Sequence, residues 1–188
     1  VYGAVAIHPR DSKDATPEGY DELIRLSANE KIKAIGETGL DYHYDNSPRD
    51  IQKREFYNHL SLAEELKLPV IIHEREAVKD TLDILLASSA AGVYHCFSGS
   101  VETARIALNK GYYISFSGVV TYKNAKNVKE AAAYIPADRI LIETDCPYLS
   151  PTPKRGERNS SLNLIHTLSM VAELRGITSE EAAEITYR

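Results

Sequence analysis

Four short segments place carboxylate or imidazole side chains where apolar runs end: Gly36-Glu37-Thr38-Gly39-Leu40-Asp41, Ile72-His73-Glu74-Arg75, Tyr94-His95-Cys96-Phe97-Ser98-Gly99 and Glu143-Thr144-Asp145-Cys146-Pro147-Tyr148. A parallel barrel gathers its strand ends at one face, so Glu37, His73, His95 and Asp145 are candidates to meet around a metal. Nitrogen and oxygen donors of this kind suit zinc, manganese or magnesium and a hydrolytic site. Alternation along a strand decides which side chains share a face. Ile71, His73 and Arg75 then point one way, His73 suited to a metal and Arg75 to a substrate phosphate. Glu37 follows Ile35 on the inward side, and its two oxygens can bridge two cations between the flexible Gly36 and Gly39. Glu143 and Asp145 share a face. Glu143, deeper in, is placed to orient a ligand, and Asp145 to bind metal and accept a proton from water acidified by a cation.

Each motif alone has an ordinary reading: a core-edge histidine, a salt-bridging glutamate, an aspartate before a turn proline. Four of them in order, each at a strand end, favour a site. His8, in Ile7-His8-Pro9, reads as a structural histidine at a turn. Cys96 faces away from His95 as a small buried hydrophobe, which argues against a cysteine–histidine nucleophilic pair. His43, His59 and His166 read as non-catalytic. Lys154-Arg155-Gly156-Glu157-Arg158 reads as a solvated basic loop in which Arg155 is a candidate phosphate contact.

The elements that must carry these residues alternate. Strand-length apolar runs recur at Tyr2–Ile7, Ile32–Ile35, Val70–Ile72, Gly92–Tyr94, Tyr112–Phe116 and Ile140–Ile142, and helix-period segments fill the gaps. Thr16-Pro17 and Ser47-Pro48 each read as an N-cap with proline at the first helical position. Glu76–Leu86 carries Val78, Leu82, Leu85 and Leu86 on one stripe. Ser100 caps a helix that Gly111 ends. Helices follow at Ala125–Tyr134, Ser161–Leu174 and Thr178–Thr186, the last with a capping box of Thr178 and Glu181. Such alternation predicts a parallel sheet buried on both faces by helices. Polar strand ends favour an α/β fold of the (β/α)8 TIM-barrel type, with six of its eight strands in this chain. A doubly wound sheet is the other option, but no glycine-rich phosphate loop follows the first run.

The chain has 188 residues, 43% hydrophobic and 26% charged, with a net charge of −5. That suffices for one domain with a sizeable core. The acidic balance argues against broad electrostatic binding to nucleic acid, yet leaves room for an enzyme that grips a strand end through a metal. No apolar stretch reaches the roughly 20 residues of a membrane helix. Two cysteines make no disulfide framework, so a reducing cytoplasm is expected.

Together the segments resemble the TatD family of metal-dependent DNases and hydrolases. The matching landmarks are Ile7-His8-Pro9, Gly36-Glu37-Thr38-Gly39-Leu40-Asp41-Tyr42, Leu68-Pro69-Val70-Ile71-Ile72-His73-Glu74-Arg75, His95-Cys96-Phe97-Ser98-Gly99 and Glu143-Thr144-Asp145-Cys146-Pro147-Tyr148-Leu149. The resemblance implies an amidohydrolase-type barrel with two divalent metals. Glu37 would bridge them, with His73 and His95 on one and Asp145 on the other. It implies phosphodiester hydrolysis of DNA, often as a 3′–5′ exonuclease; the chain is expected to be a monomer. The family opens with a strand bearing His-x-His, and no such pair occurs here. Residues 1–188 are therefore expected to be a single domain lacking two N-terminal β/α units. The family usually has Gln where His59 stands, and Arg-Asn-Glu-Pro where this chain has Arg158-Asn159-Ser160-Ser161. Other readings are hydrolysis of a different ester or amide, such as aminoacyl-tRNA deacylation, or an inactive truncated chain.

Overall fold

The computed structural model describes residues 1–187, which form two compact units, Val1–Tyr94 and from His95 onward.

In the first unit, β1 (Gly3–Val5) leads through a 3-10 turn (Pro9–Asp14) and α1 (Pro17–Ser27) to β2 (Ile32–Asp41). Then come α2 (Arg49–Leu66), β3 (Val70–Arg75), α3 (Val78–Ala87) and β4 (Gly92–Tyr94). β1 pairs with β2, β2 with β3 and β3 with β4, all parallel. Ile35, Leu40, Val70 and Ile72 are fully buried, as are Phe56, Leu60 and Ala63 on α2. The continuous apolar runs therefore serve the purpose expected of strands covered by helices. Thr16 caps α1 as predicted, its hydroxyl accepting the Gly19 N–H at 3.1 Å.

Four expectations are corrected in this unit. β1 is shorter than Tyr2–Ile7, and its residues are exposed to half-buried rather than core. β2 does not stop at Ile35 but continues to Asp41, so Glu37 lies within the strand. A register shift between Ile35 and Thr38 lets the second half pair Gly39 with His73 and Asp41 with Arg75. Gly39 is essential to that fit: its φ is +142°, and a Cβ there would stand 1.9 Å from the His73 carbonyl oxygen. Ser47 does not cap α2. Its hydroxyl instead accepts the Lys13 N–H and donates to the Arg10 carbonyl, which ties it to the 3-10 turn. The buried side of α3 is Thr81, Ile84 and Leu85, while Leu86 is exposed.

In the second unit, α4 (Val101–Asn109), β5 (Tyr113–Phe116), α5 (Lys126–Tyr134) and β6 (Ile140–Ile142) precede α6 (Leu164–Arg175) and α7 (Ser179–Tyr187). β5 and β6 are parallel, with Ile114 opposite Ile140 and Phe116 opposite Ile142. Small residues let the helices approach closely: Ala104, Ala107, Ala131, Ala132 and Ala172 are all buried. Ser100 caps α4 through the Thr103 N–H, Gly111 follows it at φ +93°, and Thr178 and Glu181 form the predicted capping box at α7. No helix among the described residues is long and apolar enough to cross a membrane.

Candidate metal centre

The first unit gathers three donor atoms. Glu37 comes from the middle of β2, His73 from β3, and His8 from the segment joining β1 to the 3-10 turn. Glu37 Oε2 lies 3.7 Å from His73 Nδ1 and 3.8 Å from His8 Nε2. All three atoms fall within 4.8 Å of one another. Donors on one tetrahedral zinc, at about 2.1 Å each, are roughly 3.4 Å apart, so small side-chain adjustments would seat a cation. Two imidazoles and a carboxylate also match the chemistry of zinc or manganese. The cluster is reachable, with the Glu37 side chain 38% exposed and that of His73 18%.

His73 is held from behind by Asp41. Its Nε2 lies 3.2 Å from Asp41 Oδ2, and Asp41 is buried. An Nε2–H donated to that carboxylate leaves Nδ1 with a free lone pair, and Nδ1 is the atom facing Glu37. A carboxylate behind a ligating histidine is the usual device for setting tautomer and basicity. Asp41 is itself fixed on several sides. Its Oδ1 accepts the His43 and Tyr44 N–H groups, and its own N–H donates to Gln52 Oε1 at 2.8 Å. The buried Gln52 amide also donates to the Asp41 and Ser47 carbonyls, which attaches this strand end to α2.

His8 is more than the turn histidine expected from sequence. It does cap the 3-10 turn, its Nδ1 accepting the Arg10 N–H at 3.2 Å. Its ring also meets that of His73 edge-on, with centroids 4.7 Å apart. Burial, reinforced by repulsion from His73 and opposed by Glu37, pushes its pKa down to about 4. Neutral His8, accepting at Nδ1, carries its proton on Nε2 and donates toward Glu37. A cation at Nε2 would require the bond to Arg10 to be given up.

Glu74 faces the other side of β3 and has a structural task. It accepts the Ala77 N–H and the Tyr94 hydroxyl, and burial raises its pKa. Arg75 ends β3 exposed, its guanidinium over the Tyr44 ring at 4.9 Å.

In the second unit, His95 Nδ1 lies 2.7 Å from Glu143 Oε2, so a proton held there leaves the Nε2 lone pair as the one able to act as a ligand. Glu143 Oε1 also accepts the Cys96 N–H, and the Glu143 N–H donates to the Phe116 carbonyl of β5. Cys96 departs from expectation. The strand has already ended at Tyr94, Cys96 adopts φ +45°, and its Sγ contacts Ser117 Oγ at 3.0 Å. Strand alternation therefore does not govern its direction. Asp145 is half-buried in the turn after β6, its carbonyl accepting the Tyr148 N–H. Arg155 is exposed and lies over the Tyr122 ring at 4.2 Å.

The predicted ligands thus divide by unit. Glu37 and His73 come together with His8 in the first, and His95 is oriented by Glu143 in the second. The sequence pattern assigns no role to Asp41 or Gln52. An aspartate closing an apolar, strand-length segment was the available signal, since a buried carboxylate demands partners.

A parallel α/β architecture that presents a carboxylate beside imidazoles backed by carboxylates suits a metal-dependent hydrolase. A family model described as TatD related DNase matches residues 1–188, and the chain belongs to that family. It is 49% identical over 189 residues to the Bacillus subtilis protein named uncharacterized metal-dependent hydrolase YabD, covering 99% of this chain and 74% of that one. Identity is 35% over 193 residues to the Salmonella typhimurium protein named 3′-5′ ssDNA/RNA exonuclease TatD, with coverage of 98% and 74%. The crystal structure of YJJV, a TatD homologue from Escherichia coli, superposes with a TM-score of 0.93 at 28% identity, covering 99% of this chain and 73% of that one. The fold is thus of the (β/α) barrel type expected from the sequence, and the chain is a metal-dependent hydrolase of the TatD family.

Proposed function

We propose that this chain hydrolyses phosphodiester bonds in DNA with divalent metal ions, removing nucleotides from a 3′ end. The observation that carries the reading is the Glu37–His73–Asp41 arrangement, in which a buried carboxylate sets the imidazole tautomer so that its lone pair meets a second carboxylate. Family membership and the nuclease name of the Salmonella relative support the choice of nucleic acid as substrate.

Glu37, His73, His95 and Asp145 are the proposed metal-binding residues. Bound divalent ions supply Lewis-acid stabilisation of charge on the phosphoryl oxygens and acidify water. Two ions are proposed, with zinc, manganese and magnesium as candidates. Asp41 and Glu143 hold the two imidazoles in their coordinating tautomers. Asp145, in its turn after β6, is the proposed general base. Arg75 and Arg155 are proposed to hold substrate phosphate, since guanidinium forks match phosphate geometry. The protein is proposed to act as a monomer in a reducing cytoplasm, and neither cysteine is in a disulfide.

The test is turnover of a 5′-labelled single-stranded oligodeoxynucleotide with each of the three metals. Stepwise shortening from the 3′ end that requires metal, and that His73→Ala or His95→Ala abolishes, is the expected result. An intact substrate with all three metals, or unchanged turnover in either variant, overturns the assignment.

A further inference from the structure

The first unit contains five arginines, and they fall into two groups. Arg25, Arg49 and Arg54 are each paired with a carboxylate, from Glu22, Asp45 and Glu55. Arg10 and Arg75 have no ion pair among the described residues. Both are exposed, and both lie over one ring, that of Tyr44, at 5.0 and 4.9 Å from its centroid. Tyr44 is itself 50% exposed.

Their placement follows from the metal centre. Arg10 stands two residues after His8 and Arg75 two residues after His73. The backbone at all three positions is fixed. The Arg10 carbonyl accepts the Ser47 hydroxyl, a bond that a cation on His8 leaves intact. The Arg75 carbonyl accepts the Tyr42 N–H. The Tyr44 N–H donates to Asp41, the same carboxylate that backs His73.

Two like charges held against one ring repel each other. The π-face of Tyr44 offsets part of that cost. In a chain of net charge −5, with carboxylates meeting the other arginines nearby, this exposed pair is left to an anion supplied from outside.

We infer that Arg10, Tyr44 and Arg75 form a clamp for a second backbone phosphate of a single-stranded nucleic acid whose scissile phosphate lies at the metal centre. This rests on the nuclease reading above and adds Arg10 and Tyr44 to it. Tyr44 acts as a positioning residue, keeping the two guanidinium groups in place before substrate arrives.

The experiment uses the metal-loaded protein and a ten-nucleotide single-stranded DNA with uncleavable phosphorothioate linkages, with binding followed by fluorescence anisotropy from low to high salt. Arg10→Gln should weaken binding about tenfold at low salt and reduce the slope of log K against log salt by about 0.7, the value of one phosphate contact on a single strand. Arg10→Lys should restore the slope, because the charge remains. Tyr44→Leu should weaken binding about threefold with the slope kept, in line with the loss of its cation–π contacts. Wild-type affinity and slope in Arg10→Gln, or a wild-type protein that does not bind the oligonucleotide, overturns the clamp. Cleavage of the ordinary phosphodiester oligonucleotide is measured in parallel. Its absence with normal clamp behaviour overturns the nuclease reading alone, whereas its presence with an unchanged Arg10→Gln slope overturns the clamp alone.

Discussion

Asp41 Oδ2 and His73 Nε2 lie 3.2 Å apart, joining the end of β2 to the imidazole of β3 that faces Glu37, across 32 residues of sequence. The contact decides which ring nitrogen is left to coordinate. Because Asp41 also accepts two loop N–H groups and is held by Gln52, the imidazole is fixed through the strand end to α2.

Asp41→Asn tests that arrangement. The amide can still receive the loop N–H groups, but it loses the negative charge that faces the His73 Nε2–H. Metal affinity should fall about 10- to 100-fold, read by competition with a chromophoric chelator. Wild-type affinity in the variant would detach Asp41 from the centre.

Gly39→Ala should act through the backbone. The new Cβ meets the His73 carbonyl at 1.9 Å from a φ of +142°. Overpacking and strain together should cost about 2–5 kcal/mol. Gly156 has φ +94°, and a Cβ added there would meet nothing within 4 Å, so Gly156→Ala should cost only about 1–2 kcal/mol. Urea unfolding of the two variants side by side gives the comparison, and equal losses would count against the steric account.

Glu143→Ala removes one carboxylate that serves both His95 and the Cys96 N–H. Both donors are left partly buried without it. A loss of about 1–3 kcal/mol is expected in urea unfolding, together with weaker metal binding. A variant as stable as wild type would mean that solvent replaces Glu143 without cost.

His59 governs an acid-sensitive term. It is fully buried on α2, its Nε2 accepting the Ile7 N–H at 2.9 Å while Nδ1 donates to the Glu55 carbonyl. Burial lowers its pKa below 6.5. The unfolded chain therefore takes up this proton first as pH falls. Its contribution to stability is complete above about pH 6.5 and declines below it, by up to about 1.4 kcal/mol per pH unit for one group. His8, lowered to about 4, adds a slope of the same sign. His59→Gln keeps an acceptor for Ile7 but cannot take up the proton, so stability measured between pH 6.5 and 5 should fall less steeply than in wild type. An identical slope would remove His59 from the acid response.

Much of this was legible in the chain because the signals were local. Thr16, Ser100 and the Thr178–Glu181 pair cap helices within a few residues of themselves, and their types alone suffice. The apolar runs located six strands for the same reason. Ser47 shows where such reasoning ends: it has the chemistry of a cap, but Lys13 and Arg10 compete for its hydroxyl from 34 and 37 residues away. Cys96 shows another limit, since alternation predicts direction only while the strand lasts.

Residue types and their order determined the class of fold, the candidate ligands Glu37, His73, His95 and Asp145, and the family. Tertiary structure decided which atoms of Glu37 and His73 face each other, that His8 joins them, that Asp41 stands behind His73, and that Arg10 and Arg75 share one ring. The physical reason is range. Propensity and capping act over one or two helical turns, whereas a hydrogen bond between neighbouring parallel strands depends on their register, here set by the close passage of Gly39 beside His73.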